Sequence, residues 1–184
     1  MGRLAGALLM SEVTPLPAAS VLVVRNDPFE VLLLRRSDQS SFVPGAWVFP
    51  GGTADAADGG DLRVTAARET LEETGIVVDA AALVLTSRWI TPAGMPKRFD
   101  TNFYLAQVSR EAVVRIDPRE MSDYLWISPA DALARRDLKL VLPTIKNLEA
   151  IAGFASAGEL IASRRGVTIE PILPVLVNGK PTLP

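Results

Sequence analysis

The sequence predicts an α/β fold in which strands and helices alternate along one chain. Runs of β-branched and aliphatic residues at 20–25 and 31–36 are typical of strands. A helical pattern over 62–74 follows them and stops at a glycine, and further strand-like and helical runs come after it. This order of segments is the basis for the predicted fold class.

The chain is expected to form one domain between two looser segments. Its 184 residues and 48% apolar content suit a single core. We predict a loose leader at 1–18, a domain at 19–166 and an extended tail at 167–184. The apolar run of the leader, about seven residues, is too short to span a membrane. Its polar, proline-containing continuation argues against a signal peptide, so a cytoplasmic protein without membrane partners is expected.

The first two strands should pair as a hairpin, because Asn26-Asp27-Pro28 between them is typical of a turn. Gly75 should end the helix at 62–74, since a glycine just past a helix adopts the left-handed cap without steric penalty. Further extended segments are predicted after this helix, at 76–90 with a break near Asp79, at 99–108 and at 124–127.

Helical spacing divides the segment 62–74 into an acidic face and an opposite face. The acidic face carries Glu69, Glu72 and Glu73. The opposite face should be buried, and it consists of Val64, Ala67, Leu71 and Thr74. Three glutamates at this spacing repel one another and gain nothing as an ordinary helix face. A hard divalent cation such as Mg²⁺ makes this grouping of carboxylates favourable, because it binds carboxylate oxygens and substrate phosphates at the same time.

The C-terminal third predicts three helices and a tail. Ser128 followed by Pro129 is typical of a helix start, residues 142–154 show helical spacing, and Ser156 with Glu159 resembles a capping box. The tail contains four prolines and an Asn178-Gly179 turn, and it offers a segment that a homodimer would use.

Composition excludes several kinds of chemistry. Nineteen basic and twenty-one acidic residues give a net charge of −2, without the basic surface that nucleic acid binding requires. The sequence has no cysteine and no histidine, which excludes thiol nucleophiles, zinc–thiolate sites and a Ser-His-Asp triad. Carboxylates, lysine, tyrosine and metal-bound water remain.

The segment RETLEETGI at 68–76 resembles the second half of the Nudix box of nucleoside diphosphate-linked hydrolases, with Thr70 where an aliphatic residue is more usual. The first half departs from the box, because Asp58 stands in place of a glutamate and two residues are inserted before Arg68. Since the family's metal-binding carboxylates are chiefly those of the second half, the resemblance still implies a metal site.

The upstream segment resembles the extra pattern of the coenzyme A-cleaving Nudix subset. Leu34 replaces its threonine and Ser41 replaces its second arginine. The positions that agree are Leu32, Leu33, Arg36, Ser37, Gly45, Phe49, Pro50, Gly51 and Gly52. The likeness to the peroxisomal-type coenzyme A diphosphatase branch and its bacterial relatives extends over roughly residues 20–165.

The resemblance implies the Nudix fold, which is a mixed sheet between helices, here with extra C-terminal helices, and hydrolysis of a diphosphate bridge by water. Its implied cofactor is Mg²⁺ or Mn²⁺, held by Glu69, Glu72, Glu73 and Gly52. Arg68 would assist catalysis, and Glu69 and Glu120 are candidates for the general base. The implied substrate-binding residues are Arg36, Gly51, Gly52, Trp89, Arg98 and Phe99. Phe103 is expected in the core.

Three functions remain open at this point. The first is a coenzyme A or acyl-coenzyme A diphosphatase. The second is a diphosphatase of NADH, ADP-ribose or a nucleotide sugar, which the changes at Leu34 and Ser41 favour. The third is a catalytically silent ligand-binding or interaction module. The expected partner is a small-molecule nucleotide substrate.

Overall fold

The computed structural model describes residues 13–184, so most of the predicted leader lies outside the described residues. In this part of the chain four strands are followed by one α-helix, three strands, three α-helices and three short strands, which is an arrangement of the α+β class. The strands are Leu16–Arg25 (β1), Glu30–Arg36 (β2), Trp47–Val48 (β3), Gly51–Thr53 (β4), Val84–Ile90 (β5), Phe99–Gln107 (β6), Met121–Ile127 (β7), Pro171–Ile172 (β8), Val175–Val177 (β9) and Lys180–Thr182 (β10). The α-helices are Leu62–Thr74 (α1), Pro129–Ala134 (α2), Leu142–Ile151 (α3) and Ala157–Arg164 (α4).

The sheet divides at β1. One edge of β1 runs parallel to β6, from Leu16 beside Phe99 to Val24 beside Gln107. Along the other edge, β4 pairs antiparallel with its first half and β2 with its second half. β3 and β7 pair with β2, while β5 and then β8 extend the sheet beyond β6. The sheet is therefore mixed, and the predicted β1–β2 hairpin is confirmed.

Helices cover both faces of this sheet. Successive side chains of β1 point to opposite faces, and each set packs against a different group of helices. Val21 and Val23 pack with Ala66 of α1 in one apolar cluster. Leu22 and Val24 pack in a second cluster with residues of α2, α3 and α4. The expected arrangement, a mixed sheet between helices with additional C-terminal helices, is confirmed.

Helix α1 has the predicted bounds and the predicted C-terminal cap. The Asp61 carboxylate accepts from the backbone N–H of Arg63 at 2.9 Å at its start. Gly75 ends it with φ 69°, in the left-handed region that glycine enters without strain. These caps fix both ends of the acidic helix, which packs against β1 and β4.

The buried face of α1 differs from the prediction, because Val64 and Leu71 are exposed. Of the four residues expected to be buried, Thr74 is buried and Ala67 is half-buried. The buried positions are Thr65, Ala66, Thr70, Glu73 and Thr74. Threonine is tolerated there because its hydroxyl donates one turn back, from Thr70 to the Ala66 carbonyl at 2.7 Å and from Thr74 to the Thr70 carbonyl at 2.5 Å.

The later elements keep the predicted order with different lengths. A 3₁₀ turn at Ala80–Ala82 lies within the first half of the segment predicted as extended, so β5 begins only at Val84. β7 begins three residues before the predicted Tyr124, and α3 ends three residues before Phe154. Ser128 and Ser156 cap α2 and α4 as predicted.

The tail is extended, as expected. β8 pairs parallel with β5 at the edge of the sheet, and β9 and β10 form a hairpin around Asn178-Gly179. No helix in the described range 13–184 has the length and apolar character needed to cross a membrane.

Candidate active site

Glu73 lies at the centre of the site, where α1 faces β4. Its side chain is buried, with 3% of the residue's surface exposed, and Oε2 accepts the backbone N–H of Gly51 at 2.8 Å. Burial raises the pKa of Glu73 to about 8, with the charges of Glu69 and Glu120 adding to the rise and the Gly51 hydrogen bond and Arg36 opposing it. A buried carboxylate with two acidic neighbours is costly to ionise in the free protein.

Glu69 lies one helical turn earlier and touches the second glycine of β4. A Cβ placed on Gly52 would stand 2.5 Å from the Glu69 carboxyl carbon and from its Oε2. Only a glycine leaves room for the carboxylate in this position. Partial burial raises the pKa of Glu69, and Arg68 opposes that rise. Each glycine thus accommodates one carboxylate. Gly51 donates its N–H to Glu73, and the absence of a side chain at Gly52 leaves room for Glu69.

Arg68 and Asp58 position Glu69 from the other side. Arg68 Nε and Nη2 each donate to one Asp58 oxygen at 2.9 Å, and Nη1 donates to Glu69 Oε1 at 2.7 Å. Asp58 is buried and also accepts from the Thr65 hydroxyl and from the Asp55 N–H. The Arg68 guanidinium accordingly holds the pKa of Asp58 well below its usual range. Asp58 therefore fixes the direction in which Arg68 presents itself to Glu69.

Glu72 and Glu120 lie at the margin of this cluster. The Glu72 side chain is 58% exposed and accepts from Arg68 Nη1 at 3.2 Å. Glu120 is exposed, and its charge contributes to the raised pKa values of Glu69 and Glu73. The backbone of the loop before β7 is tied to the end of β2, because the Ser37 N–H donates to the Glu120 carbonyl at 2.8 Å.

The chemistry of these donors suits a hard divalent cation, since Mg²⁺ prefers carboxylate oxygens. One oxygen of Glu69 accepts from Arg68 and one oxygen of Glu73 accepts from Gly51. Within residues 13–184, no three acidic side chains stand in an arrangement that would hold one ion by themselves. Mg²⁺ usually keeps several waters and needs few protein ligands. The residues therefore fit a cation that is bound mainly by Glu69, Glu73 and water.

Comparison with known proteins identifies the family of this site. The NUDIX domain model matches residues 14–148, which is well over half of the chain. The chain belongs to the Nudix hydrolase family. All candidate site residues, from Arg36 to Glu120, lie inside the matched range.

Two curated relatives illustrate this membership. "Putative nudix hydrolase 7" of Caenorhabditis elegans is 30% identical over 154 residues, which cover 63% of this chain and 52% of that protein. "Acyl-coenzyme A diphosphatase NUDT19" of Gallus gallus is 24% identical over an alignment of 262 positions. The match covers 78% of this chain and 69% of that protein. The chain thus spans about half the length of the first relative.

A solved structure shows the same fold. The NUDIX hydrolase from Alicyclobacillus acidocaldarius superposes with a TM-score of 0.74 and 28% identity. The match covers 82% of this chain and 96% of that one. The sheet and its flanking helices are therefore those of a Nudix domain.

The departures from the Nudix patterns have structural explanations. Leu34 is fully buried in the core, so its side chain does not face a substrate. The Thr70 hydroxyl is satisfied inside α1, which makes it an acceptable substitute for an aliphatic residue. Ser41 is exposed, and its hydroxyl accepts from Lys97 Nζ at 3.2 Å. Sequence reasoning missed Lys97, because its partner is 56 residues away in the sequence.

The aromatic and basic candidates for substrate binding differ in accessibility. Trp89 is 4% exposed and packs in the core cluster of α2–α4. Arg98 is 8% exposed, and its guanidinium donates to the carbonyls of Thr91 and Val13 at 2.9 Å. These contacts give both residues packing roles. Phe99 is half-buried, while Phe103 is in the core, as expected.

Proposed function

We propose that this Nudix protein is a metal-dependent diphosphatase that cleaves coenzyme A or acyl-coenzyme A. Its products would be adenosine 3′,5′-bisphosphate and a 4′-phosphopantetheine species. The observation that supports the proposal most directly is the seating of Glu69 and Glu73 against Gly51 and Gly52. The two carboxylates then lie beside the glycine backbone of β4, which a diphosphate can approach closely.

Each residue of the group has a separate task in this proposal. A Mg²⁺ or Mn²⁺ ion bound mainly by Glu69, Glu73 and water, with Glu72 and Gly52 as further contacts, would neutralise the diphosphate charge and acidify a water for in-line attack on phosphorus. Arg68 orients Glu69. Glu69 or Glu120 accepts the proton of the attacking water.

The coenzyme A assignment is favoured by two observations. The curated relative from Gallus gallus is named an acyl-coenzyme A diphosphatase. The burial of Leu34 also means that one of the two departures from the coenzyme A pattern does not reach the substrate. Arg36 is among the positions that agree with that pattern.

A second candidate is hydrolysis of NADH, ADP-ribose or a nucleotide sugar. The observation that favours it is Ser41, which supplies a hydroxyl where the coenzyme A pattern has an arginine. These substrates share the diphosphate bridge and differ in what is attached to it. A catalytically silent module is the third possibility, and the presence of all three box glutamates argues against it.

The test is incubation of the purified protein with Mg²⁺, and separately with Mn²⁺, on four substrates. These are coenzyme A, acetyl-coenzyme A, NADH and ADP-ribose, with products identified by mass. We expect 4′-phosphopantetheine species to form faster than AMP. Preferential release of AMP from NADH or ADP-ribose would select the second candidate, and absence of turnover with either metal would select the silent module.

A further inference from the structure

The loop at 37–45, between β2 and β3, links the carboxylate site to the start of β6. Arg36, the last residue of β2, comes just before it, and the Ser37 N–H donates to the Glu120 carbonyl at 2.8 Å. Arg36 Nε and Nη2 donate to Ser40 Oγ at 3.1 and 2.8 Å. The Ser40 hydroxyl in turn donates to the Phe42 carbonyl at 3.2 Å. The first half of the loop is thus tied to a side chain of the candidate active site.

The second half of this loop contacts the residues around the start of β6. The Phe42 ring packs edge-to-face on Phe99, with ring centroids 5.2 Å apart and an interplanar angle of 76°. Lys97 Nζ donates to Ser41 Oγ at 3.2 Å. An aromatic pair and an ammonium therefore lie side by side. Since Arg36 and Phe42 are six residues apart, their backbones lie within about 20 Å of each other, which a nucleoside diphosphate can largely span.

Lys97, like several other basic residues in the range 13–184, has no carboxylate within salt-bridge distance. Its side chain is exposed, and no carboxylate in the described range 13–184 lies within 4.0 Å of its ammonium. The same holds for Arg36, whose side-chain partner is a hydroxyl. By contrast, Arg25 and Arg88 are paired with Glu30 and Asp100. Two cations with only hydroxyl partners are free to exchange those partners for phosphate oxygens.

The same loop contains a strained residue. Val43 has φ 44°, and a β-branched side chain is a genuine outlier in that region. Such backbone strain persists only when surrounding contacts hold it, and it is found at ligand-binding segments. Here the contacts of Ser40, Ser41 and Phe42 hold the chain just before Val43.

We propose that Lys97 binds a phosphate group on the ribose of the substrate while the attached base packs against Phe42 and Phe99. The inference rests on the proposed diphosphatase function and specifies its substrate class. A ribose phosphomonoester carries nearly two negative charges, and lysine binds phosphate as a compact point charge. Lys97 would thus provide, from the neighbouring segment, the cation that position 41 lacks. It makes the enzyme prefer coenzyme A to nucleotides without the ribose phosphate.

The experiment compares coenzyme A with 3′-dephospho-coenzyme A, which differs only by that phosphate. Wild type, Lys97→Met and Lys97→Arg are assayed beside Lys180→Met, a control that removes an exposed lysine from β10. We expect Lys97→Met to raise KM for coenzyme A by about tenfold with kcat nearly unchanged, and to leave dephospho-coenzyme A unaffected. Lys97→Arg should retain most of the preference and Lys180→Met all of it.

Equilibrium binding separates this inference from the proposed function. Titration of adenosine 3′,5′-bisphosphate and of 5′-AMP needs no turnover, and wild type should bind the bisphosphate about tenfold more tightly, with that advantage lost in Lys97→Met. Equal effects of Lys97→Met on both ligands, or none on either, would overturn the role of Lys97 even if coenzyme A is cleaved. Turnover of NADH or ADP-ribose alone, with no bisphosphate preference, would overturn both proposals.

Discussion

The carboxylate of Glu69 lies directly against the backbone of Gly52, so closely that a Cβ there would stand 2.5 Å from Glu69 Oε2. Because the atoms in conflict belong to the far end of a flexible side chain, Gly52→Ala should displace the carboxylate without unfolding the domain. We expect kcat to fall by about a hundredfold and the melting temperature to change by a few degrees at most. Gly153→Ala is the matched control, because a Cβ there meets nothing within 4 Å. Full activity of Gly52→Ala would show that the position of Glu69 is unimportant.

Gly51→Ala should behave differently from Gly52→Ala. A Cβ at Gly51 would stand 2.3 Å from the Ala19 carbonyl oxygen, which belongs to the backbone of β1 and cannot move freely. The expected loss is about 3 kcal/mol in the free energy of unfolding, measured by urea denaturation. A stability equal to that of Gly52→Ala would contradict this account of the glycine pair.

Asp58→Asn should weaken the positioning of Arg68. The substitution leaves the buried site without its negative charge, and we expect a loss of about 2 kcal/mol in the free energy of unfolding at pH 7. Activity should fall by about tenfold because Arg68 no longer holds Glu69. Asp123→Asn, at an exposed carboxylate of β7, is the control. Wild-type stability and activity of Asp58→Asn would show that the Asp58–Arg68 pair is dispensable.

The stability of the metal-free protein should fall as pH rises from about 5 to 8. Burial raises the pKa of Glu73 to about 8, whereas the unfolded chain releases this proton near pH 4.5. In that window the folded state holds one proton more than the unfolded state, so stability decreases by at most about 1.4 kcal/mol per pH unit from this group. Glu73→Gln removes the titration. Chemical denaturation in EDTA at several pH values should show a flatter profile for Glu73→Gln than for wild type, and equal slopes would contradict the assignment.

Metal affinity should depend on pH in the opposite sense. A divalent cation binds the ionised carboxylates, so its binding releases the proton that Glu73 retains in the free protein. Calorimetric titration with Mn²⁺ should therefore show tighter binding at pH 8 than at pH 6, by about tenfold or more, with proton release that differs between buffers. A pH-independent affinity would mean that Glu73 does not hold the ion.

Sequence patterns predicted the features of α1 that depend only on residue spacing along the helix. The bounds of α1 and its Gly75 cap follow from local patterns, and so does the placement of Glu69 and Glu73 on one face. The buried face of α1 was predicted wrongly because threonine hydroxyls satisfied within the helix can face the core, while Val64 and Leu71 are left exposed. A hydropathy pattern does not detect that arrangement.

Long-range contacts were beyond the reach of sequence patterns. The support of Arg68 by Asp58 crosses the insertion that made the first half of the box look irregular. The approach of Lys97 to Ser41 joins two loops that are far apart in the chain. Trp89 and Arg98 resembled substrate contacts by position, yet Trp89 of β5 packs in the core and Arg98, just before β6, is buried against the carbonyls of Thr91 and Val13. Their burial is a property of the assembled sheet.

The most direct test of the central claim is the rate of Mg²⁺-dependent coenzyme A cleavage by Glu69→Gln beside wild type and Glu72→Gln. Glutamine keeps the shape of Glu69 and removes its charge, whereas Glu72 lies at the exposed margin. We predict that Glu69→Gln lowers kcat by about a hundredfold or more and that Glu72→Gln has a smaller effect. Folding is verified by an unchanged circular dichroism spectrum. A folded Glu69→Gln protein that releases 4′-phosphopantetheine at the wild-type rate would contradict the account.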